Sequence, residues 1–440
     1  MFDSFLIGIL GLVGLLLLIA VRVPIAYTMI LIGIAGISFQ SGPWIVLNQL
    51  KDLAYAQFSN YDLSVLPMFV LMGSLASRCG LSSDLFRGAN AWLGRLRGGV
   101  AMAAVVACAG FGAVCGSSTA TASTMGQVAL PELRKYKYSG ALATGTIAAG
   151  GTLGILIPPS VVLIVYAIIV EVNIVTMFAA ALVPGLLATL MFIATVALYV
   201  RLVPGSGPLG GAVSRAELRS ATIATLPVVA IFGVVIGGIY AGIYSPTAAA
   251  AVGVIMVIAY GIARRRLSLA GIRDGLLETA RTSGMIFLIL LGAELLKIFM
   301  SRAGVPQAAA DLLQNSGLSA MAILALIIVA FLVLGCLMDS LSMVILAIPF
   351  FWPVIAGLDF GLSPNETKIW FGIIILVVVE LGLITPPVGL NVFIINGMAR
   401  DVPMRETFRG VMPFFGTEML RIALLILFPA ITLFLPRLLQ

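Results

Sequence analysis

The sequence predicts an all-α polytopic membrane protein assembled from two related halves. Three observations carry this expectation. The 440 residues are 61% hydrophobic and only 10% charged, with a mean hydropathy of +1.16, which leaves too little polar surface to wet a soluble domain. Gly98 to Pro131, Tyr138 to Val170, Val172 to Val200 and Ser220 to Ala263 contain no charged residue, and each is long enough for at least one helix across roughly 30 Å of hydrocarbon. A small-residue turn followed by a proline and then by a double proline occurs twice, with the double prolines 228 residues apart.

From the amino terminus, the first span is expected at about 4–20. No basic segment precedes its apolar run, which favours a retained span over a cleaved signal peptide. Arg22 and Pro24 close it, and a second span follows at about 24–39. Further spans are expected near 60–78, 175–201, 221–239, 243–262, 282–301, 320–335 and 411–435. The net charge of +7 would suggest nucleic acid in a soluble chain, but here it falls in short connections, where it fixes orientation. Arg264, Arg265 and Arg266 mark the cytoplasmic side, and the amino terminus is placed outside the cytoplasm. Arg87, Arg95 and Arg97 fit an interfacial helix with snorkelling side chains. Lys51, Asp52, Arg134, Lys135 and Lys137 read as boundary charges, and Glu294 with Lys297 as a pair on one helix face. Trp44, Trp92, Trp352 and Trp370 mark interfaces or packing surfaces.

Two segments, 100–170 and 330–398, resist simple counting because they are rich in small residues, hydroxyls and paired prolines. In the first, "CGSSTATAST" (Cys115 to Thr124) precedes Pro131 and then "GTLGILIPPS" (Gly151 to Ser160). In the second, "GCLMDSLSM" (Gly335 to Met343) precedes Pro349 and then "ELGLITPPVGLN" (Glu380 to Asn391). Superposing Pro158-Pro159 on Pro386-Pro387 also superposes Leu153-Gly154 on Leu381-Gly382, and Pro184 and Pro413 follow at nearly equal intervals. Glycine- and proline-interrupted segments at matching places in two halves point to an alternating-access transporter.

Proline removes a backbone donor and glycine permits unusual dihedrals, so each break frees carbonyl groups that lipid cannot satisfy. Those carbonyls, with nearby hydroxyls, can replace part of the hydration shell of a hard cation. The sodium-binding candidates are Gly116, Ser117, Ser118, Gly154 and Pro158 in the first half, and Met338, Asp339, Ser340, Thr385, Pro386 and Gly389 in the second. Ser118, Thr119, Ser340 and Asn391 are the candidates for substrate contact. Protons are the rival coupling ion, because Asp339 and Glu380 would titrate if buried. Structural readings compete: hydroxyls in membrane helices bond to their own backbone, double prolines can simply kink a helix, and Asp339 can serve as a cap.

Enzymatic chemistry is not expected. No histidine is present, and Cys79, Cys108, Cys115 and Cys336 have neither metal-ligand spacing nor the density of a disulfide scaffold, so they read as packing residues. "GSSTATAS" lacks the glycine spacing and the terminal Lys-Ser/Thr of a phosphate loop, which argues against ATP-driven transport by this chain. No catalytic residue and no cofactor other than a coupling ion is expected.

Four stretches together, "GLLLLIAVRVPIAYTMILIG", "FGAVCGSSTATASTMGQVALPEL", "GGTLGILIPPSVVLIVYA" and "ELGLITPPVGLNVFIINGMA", resemble the large membrane subunit of the tripartite ATP-independent periplasmic (TRAP) transporters, the DctM-like family. The resemblance runs over nearly the whole chain. It implies two inverted repeats, each with a re-entrant helical hairpin and an interrupted transmembrane helix, in an elevator-type architecture of the bacterial inner membrane. On that pattern 1–59 holds amino-terminal membrane helices and an interfacial segment, 60–200 the first repeat, 201–281 the inter-repeat connection with scaffold helices, and 282–440 the second repeat. Ser117 and Ser118 would lie at the first hairpin tip facing Gly154 and Pro158, and Asp339 and Ser340 at the second facing Thr385 and Pro386. The implied partners are a small four-helix DctQ-like membrane subunit, a periplasmic solute-binding protein, an organic anion such as a carboxylate or sugar acid, and the lipid bilayer, with no nucleic acid. Sodium symport is the implied energy source. Because the chain starts with its own first span, it resembles the unfused form. A receptor-independent or proton-coupled carrier, and a purely structural membrane subunit, are the alternatives.

Overall fold

The computed structural model describes residues 4–208, 214–314, 317–336 and 338–439, and their regular structure is helical. Helices α1 (Ser4–Ala20) and α2 (Ile25–Ser41) are separated at Pro24, which has no donor to continue a helix. Gly42, at a φ of 89°, turns the chain into α3 (Pro43–Phe58), where proline fills the first helical position. A single 3-10 turn (Tyr61–Ser64) opens α4 (Val65–Arg78), and Gly80 in the left-handed region then bends the chain by 66° into α5 (Leu81–Leu93). Next come α6 (Gly99–Cys115), α7 (Ser118–Lys135), α8 (Gly140–Leu156) and α9 (Val161–Ile169), followed by the long α10 (Ile174–Leu202).

The second half begins with α11 (Arg215–Tyr240), α12 (Pro246–Ala263) and α13 (Leu269–Ala303), then α14 (Val305–Gln314). It continues with α15 (Ala320–Gly335), α16 (Ser340–Ala356), α17 (Pro364–Gly382), α18 (Leu390–Met398), α19 (Met404–Leu427) and α20 (Ala430–Leu439). Serine caps recur: Ser214, Ser245, Ser268, Ser319 and Ser363 each accept a backbone N–H at the start of their helix. Residues 209–213 of the connection expected between the halves lie outside the described residues.

Five of the described helices, α10, α11, α12, α13 and α19, are each long and apolar enough to cross a membrane, and the pairs α4–α5 and α8–α9 meet the same test as bent units. The two largest boundary differences from the sequence expectation lie in the second half. The span expected at 282–301 belongs to a helix that already starts at Leu269, because the Ser268 cap starts it and its charged first turns extend it beyond the apolar stretch. The span expected at 411–435 is two helices: α19 starts at Met404, and the chain breaks before Pro429.

Two helices form the centre. Every residue of α8 from Leu142 to Leu156, and of α17 from Ile369 to Gly382, is buried, as expected of helices enclosed by others rather than facing lipid. Around them α1, α11 and α12 expose Leu16, Leu17, Leu226, Val229, Ile255 and Ile262, the apolar surface that lipid covers. Trp370 is fully buried and donates its indole N–H to the Leu425 carbonyl at 2.8 Å, whereas Trp44 and Trp92 are exposed. All four cysteines are free and buried.

Candidate functional site

Helices α6 and α7 form a hairpin whose turn is Gly116-Ser117. Gly116 takes a φ of 65°, where a side chain would be strained, and the Ser117 hydroxyl caps α7 by accepting the Ala120 N–H. The tip sits against the break between α8 and α9: a Cβ on Gly116 would stand 2.9 Å from the Pro159 carbonyl oxygen, and one on Gly154 would stand 2.7 Å from the Ser117 carbonyl oxygen. The Thr121 hydroxyl lies beside Gly154, buried and without a hydrogen-bond partner among the described residues. Its unfilled oxygen is a natural ligand or water position.

Helices α15 and α16 form the second hairpin. Asp339 caps α16, accepting from the Ser342 N–H at 3.1 Å and the Ser342 hydroxyl at 2.6 Å, so its carboxylate is committed in part to holding the turn. This tip meets the break between α17 and α18. The Cys336 sulfur, whose thiol donates to the Leu332 carbonyl at 3.2 Å, stands 3.6 Å from the Pro386 carbonyl oxygen, and a Cβ on Gly335 would stand 3.1 Å from the Gly382 Cα. Thr385 donates to the Leu381 carbonyl at 2.6 Å, and Gly389, at a φ of 63°, starts α18. Both proline pairs contain a cis peptide bond. The first break is buried throughout, whereas Pro386, Pro387 and Val388 are exposed.

The two tips meet at one carboxyl group. Glu380 on α17 is 1% exposed; one of its oxygens accepts from the Ser118 hydroxyl at the first tip, and the other accepts from the Ser340 hydroxyl at the second at 2.7 Å. Each serine opens the helix after its turn, so one buried acid reads the position of both hairpins. A hydrogen bond of this kind contributes roughly 0.5–1.5 kcal/mol, and a buried hydroxyl left without one costs roughly 1–3 kcal/mol.

A cavity of about 650 Å³ extends from the tips. Gly116, Ser117, Ser118, Thr119, Asp339 and Ser340 line it, and Ser74, Ser77, Arg78, Ser123, Thr124, Gln127, Glu278 and Thr282 add a polar wall. Ser74 and Arg78 donate to the Glu278 carboxylate at 2.7 and 2.8 Å. Of the remaining candidates, Gly154, Pro158, Thr385, Pro386 and Gly389 stand at the two breaks, and Met338 is buried at the second tip. Asn391 is not brought to the cavity. It is fully buried, and its amide donates to the Ala148 carbonyl at 3.3 Å, joining α18 to α8. Arg78 and Glu278 escaped the sequence reading because they lie 200 residues apart and neither stands in a motif. Among the described residues no group of three or more His, Cys, Asp or Glu could hold a metal ion, so the oxygens at the tips are mainly hydroxyls and carbonyls.

Paired hairpins facing paired helix breaks, inside a bundle of long apolar helices, are the architecture of a multi-pass membrane transport protein. The chain belongs to the family described as "Tripartite ATP-independent periplasmic transporter, DctM component", whose model matches residues 12–431. It is 32% identical over 393 residues to the C4-dicarboxylate TRAP transporter large permease protein DctM of Pseudomonas aeruginosa, covering 88% of this chain and 90% of that one. It is 28% identical to the sialic acid TRAP transporter large permease protein SiaM of Vibrio cholerae, with 98% of each chain covered. Among solved structures, the YdaH transporter of Alcanivorax borkumensis superposes with a TM-score of 0.63 at 13% identity over 89% of each chain. That likeness concerns the fold alone. The family is one of secondary transporters of small anions, and membership implies its usual partners, a DctQ-like subunit and a periplasmic binding protein.

Proposed function

We propose that this chain is the permease subunit of a sodium-coupled, receptor-dependent importer of a small organic anion, working by an elevator displacement of its hairpins and broken helices. The observation that carries this reading is that two oxygen-rich hairpin tips line one cavity, each tip standing against a helix break. In this reading the halves 60–200 and 282–440 are inverted repeats, and 1–59 and 201–281 supply the frame. Sodium would be held by carbonyls and hydroxyls at Gly116 to Ser118, Gly154 and Thr121 in the first half, and at Met338 to Ser340 and Thr385 in the second. Glu380 would couple the two sites by holding Ser118 and Ser340 at once.

The cavity wall runs from the tips to Arg78 and Glu278, and Arg78 lies two residues from Gly80, which stands against Arg266. With Arg264 to Arg266 cytoplasmic, the cavity opens inward. The amino terminus is then extracytoplasmic, because Gly8 packs against Ala303 and Val305 at the opposite end of α13. The two relatives are named for C4-dicarboxylates and sialic acid. Both are acids, and Arg78, which also pairs with Glu278, is a guanidinium in the cavity wall that would attract such a group by exchanging partners.

Reconstitution with the small membrane subunit and a cognate receptor tests the reading. Uptake should follow an imposed sodium gradient and ignore external ATP. Equal uptake with and without sodium, at fixed membrane potential and pH, would remove sodium from the mechanism, and an absolute need for a proton gradient would favour the rival ion. Ser118→Ala and Ser340→Ala should each raise the sodium concentration for half-maximal uptake about fivefold, on a loss of roughly 1 kcal/mol per hydrogen bond. Sodium activation curves of purified variants check this, and unchanged curves would remove the hydroxyls from the ion path.

A further inference from the structure

A second cavity, of about 520 Å³, lies away from the hairpin tips and is lined by Arg87 of α5, Ala216, Arg219, Ser220, Ile223 and Ala224 of α11, and Arg264 and Arg266 after α12. Four guanidinium groups from three separate elements converge on it. Arg266 is held by the buried Asp84, which accepts from it at 2.7 Å and from the Tyr260 hydroxyl as well. Arg264 lies over the Tyr260 ring, 5.9 Å from its centroid. Arg87 and Arg219 make no ion pair or side-chain hydrogen bond among the described residues, and the carboxyl groups of Glu132 and Glu217 share only the adjoining cavity with Arg87, so two guanidinium groups are left to bind an anion.

The depth of the cavity in the membrane can be read from its neighbours. Trp92 is 62% exposed and donates its indole N–H to the Thr222 hydroxyl at 3.0 Å, the position of an aromatic belt residue at the headgroup level. One and two turns beyond Arg219 on the same face of α11, Ile223 and Leu226 are 54% and 56% exposed. The guanidinium groups and the Ser220 hydroxyl therefore stand at the headgroup level, and an apolar stripe descends from them into the hydrocarbon.

We propose that this cavity binds the headgroup phosphate of an anionic phospholipid from the cytoplasmic leaflet, with an acyl chain lying along Ile223 and Leu226. Orientation alone would be served by basic residues scattered over the cytoplasmic ends. Here the charges share one cavity with the Ser220 hydroxyl and stand next to the exposed Ile223 and Leu226, and planar guanidinium groups match phosphate oxygens two at a time. Occupancy would tie the bent α4–α5 unit to α11 and the end of α12. A basic pocket between helices on the cytoplasmic side is suited to an anionic headgroup, since each basic residue near that surface is worth about a fivefold gain in binding.

Native mass spectrometry of the purified full chain with phosphatidylglycerol, phosphatidylcholine and inorganic phosphate tests the assignment. Phosphatidylglycerol should be retained at least about tenfold more strongly than phosphatidylcholine, and the triple variant Arg87→Gln, Arg219→Gln, Arg264→Gln should erase that preference. The control triple Arg400→Gln, Arg405→Gln, Arg409→Gln removes exposed arginines outside the cavity and should keep it. No preference in the wild type, or a preference that survives the first triple, would overturn the proposal. Displacement of the lipid by millimolar inorganic phosphate would also overturn it, by assigning the cavity to a free anion. Should the first triple fail to insert, hydrogen exchange on the wild type in nanodiscs decides. Phosphatidylglycerol should slow exchange at the starts of α5 and α11 relative to phosphatidylcholine, and identical exchange in both lipids would reject the site.

Discussion

Glu380→Ala is expected to lower sodium-driven uptake by about 30-fold per inserted molecule, because it removes the acceptor for Ser118 and Ser340 together and two such bonds are worth roughly 2 kcal/mol. Both tips then lose the group that fixes them relative to α17, and two buried hydroxyls must find other partners. Glu380→Gln keeps one acceptor oxygen but presents an amide donor to the other serine, so an intermediate loss is expected. Uptake into proteoliposomes, normalised to inserted protein and paired with thermal melting, separates coupling from folding. A Glu380→Ala protein that melts like the wild type and shows normal sodium activation would reduce this acid to a packing residue. The same measurement on the double variant Ser118→Ala, Ser340→Ala should show a loss smaller than the product of the two single losses, since both act through one carboxyl group.

Gly154→Val is expected to abolish sodium activation and to lower the melting temperature by several degrees. A Cβ at this position meets the Ser117 carbonyl oxygen at 2.7 Å and the Thr121 hydroxyl oxygen at 2.5 Å, while α6 presses from Gly112, whose own Cβ would stand 2.5 Å from the Gly154 Cα. Even if the Thr121 side chain turns aside, the Ser117 and Gly112 contacts are backbone and require the chain itself to shift, and forcing extra atoms into packed cores costs roughly 1–3 kcal/mol or more. The first hairpin tip must move off the α8–α9 break, which separates the oxygens expected to share the ion. Gly237→Ala is the control. Nothing stands within 4 Å of a Cβ there, and alanine favours a helix over glycine by roughly 1 kcal/mol, so its melting temperature should hold or rise. A Gly154→Val protein with normal stability and sodium response would mean that the close approach of α8 to the tip is dispensable.

Much of the architecture was legible before any coordinates. Runs without charge showed where helices lie in lipid, because a charged side chain at the bilayer centre is costly. "GSST" and "MDS", each followed by a double proline, located the two turns and the two breaks, because glycine, serine and proline impose local backbone outcomes that neighbours in space do not reverse. Element ends were less secure where a cap outside the apolar run extended the helix, as Ser268 does for α13. Asp339 was named from its place in "MDS" ahead of the second double proline, and it does line the cavity, but it also caps α16 through Ser342; the sequence left open which of these it would do.

What the sequence alone determined was therefore the membrane class, the recurrence of a motif in two halves, and the identity of the turns, all of which follow from composition and short-range backbone chemistry. Only the tertiary structure decided which distant groups meet. Glu380 lies 262 residues from Ser118 and 40 from Ser340, and nothing in its own run of Val377, Val378, Val379 and Leu381 announces two hydroxyl partners. Arg78 finds Glu278, Asn391 turns away to Ala148, and four arginines gather at one cavity. Each of these pairings depends on which helices pack side by side, and helix packing is set by the sum of many weak apolar contacts over whole surfaces rather than by any residue's neighbours in the chain.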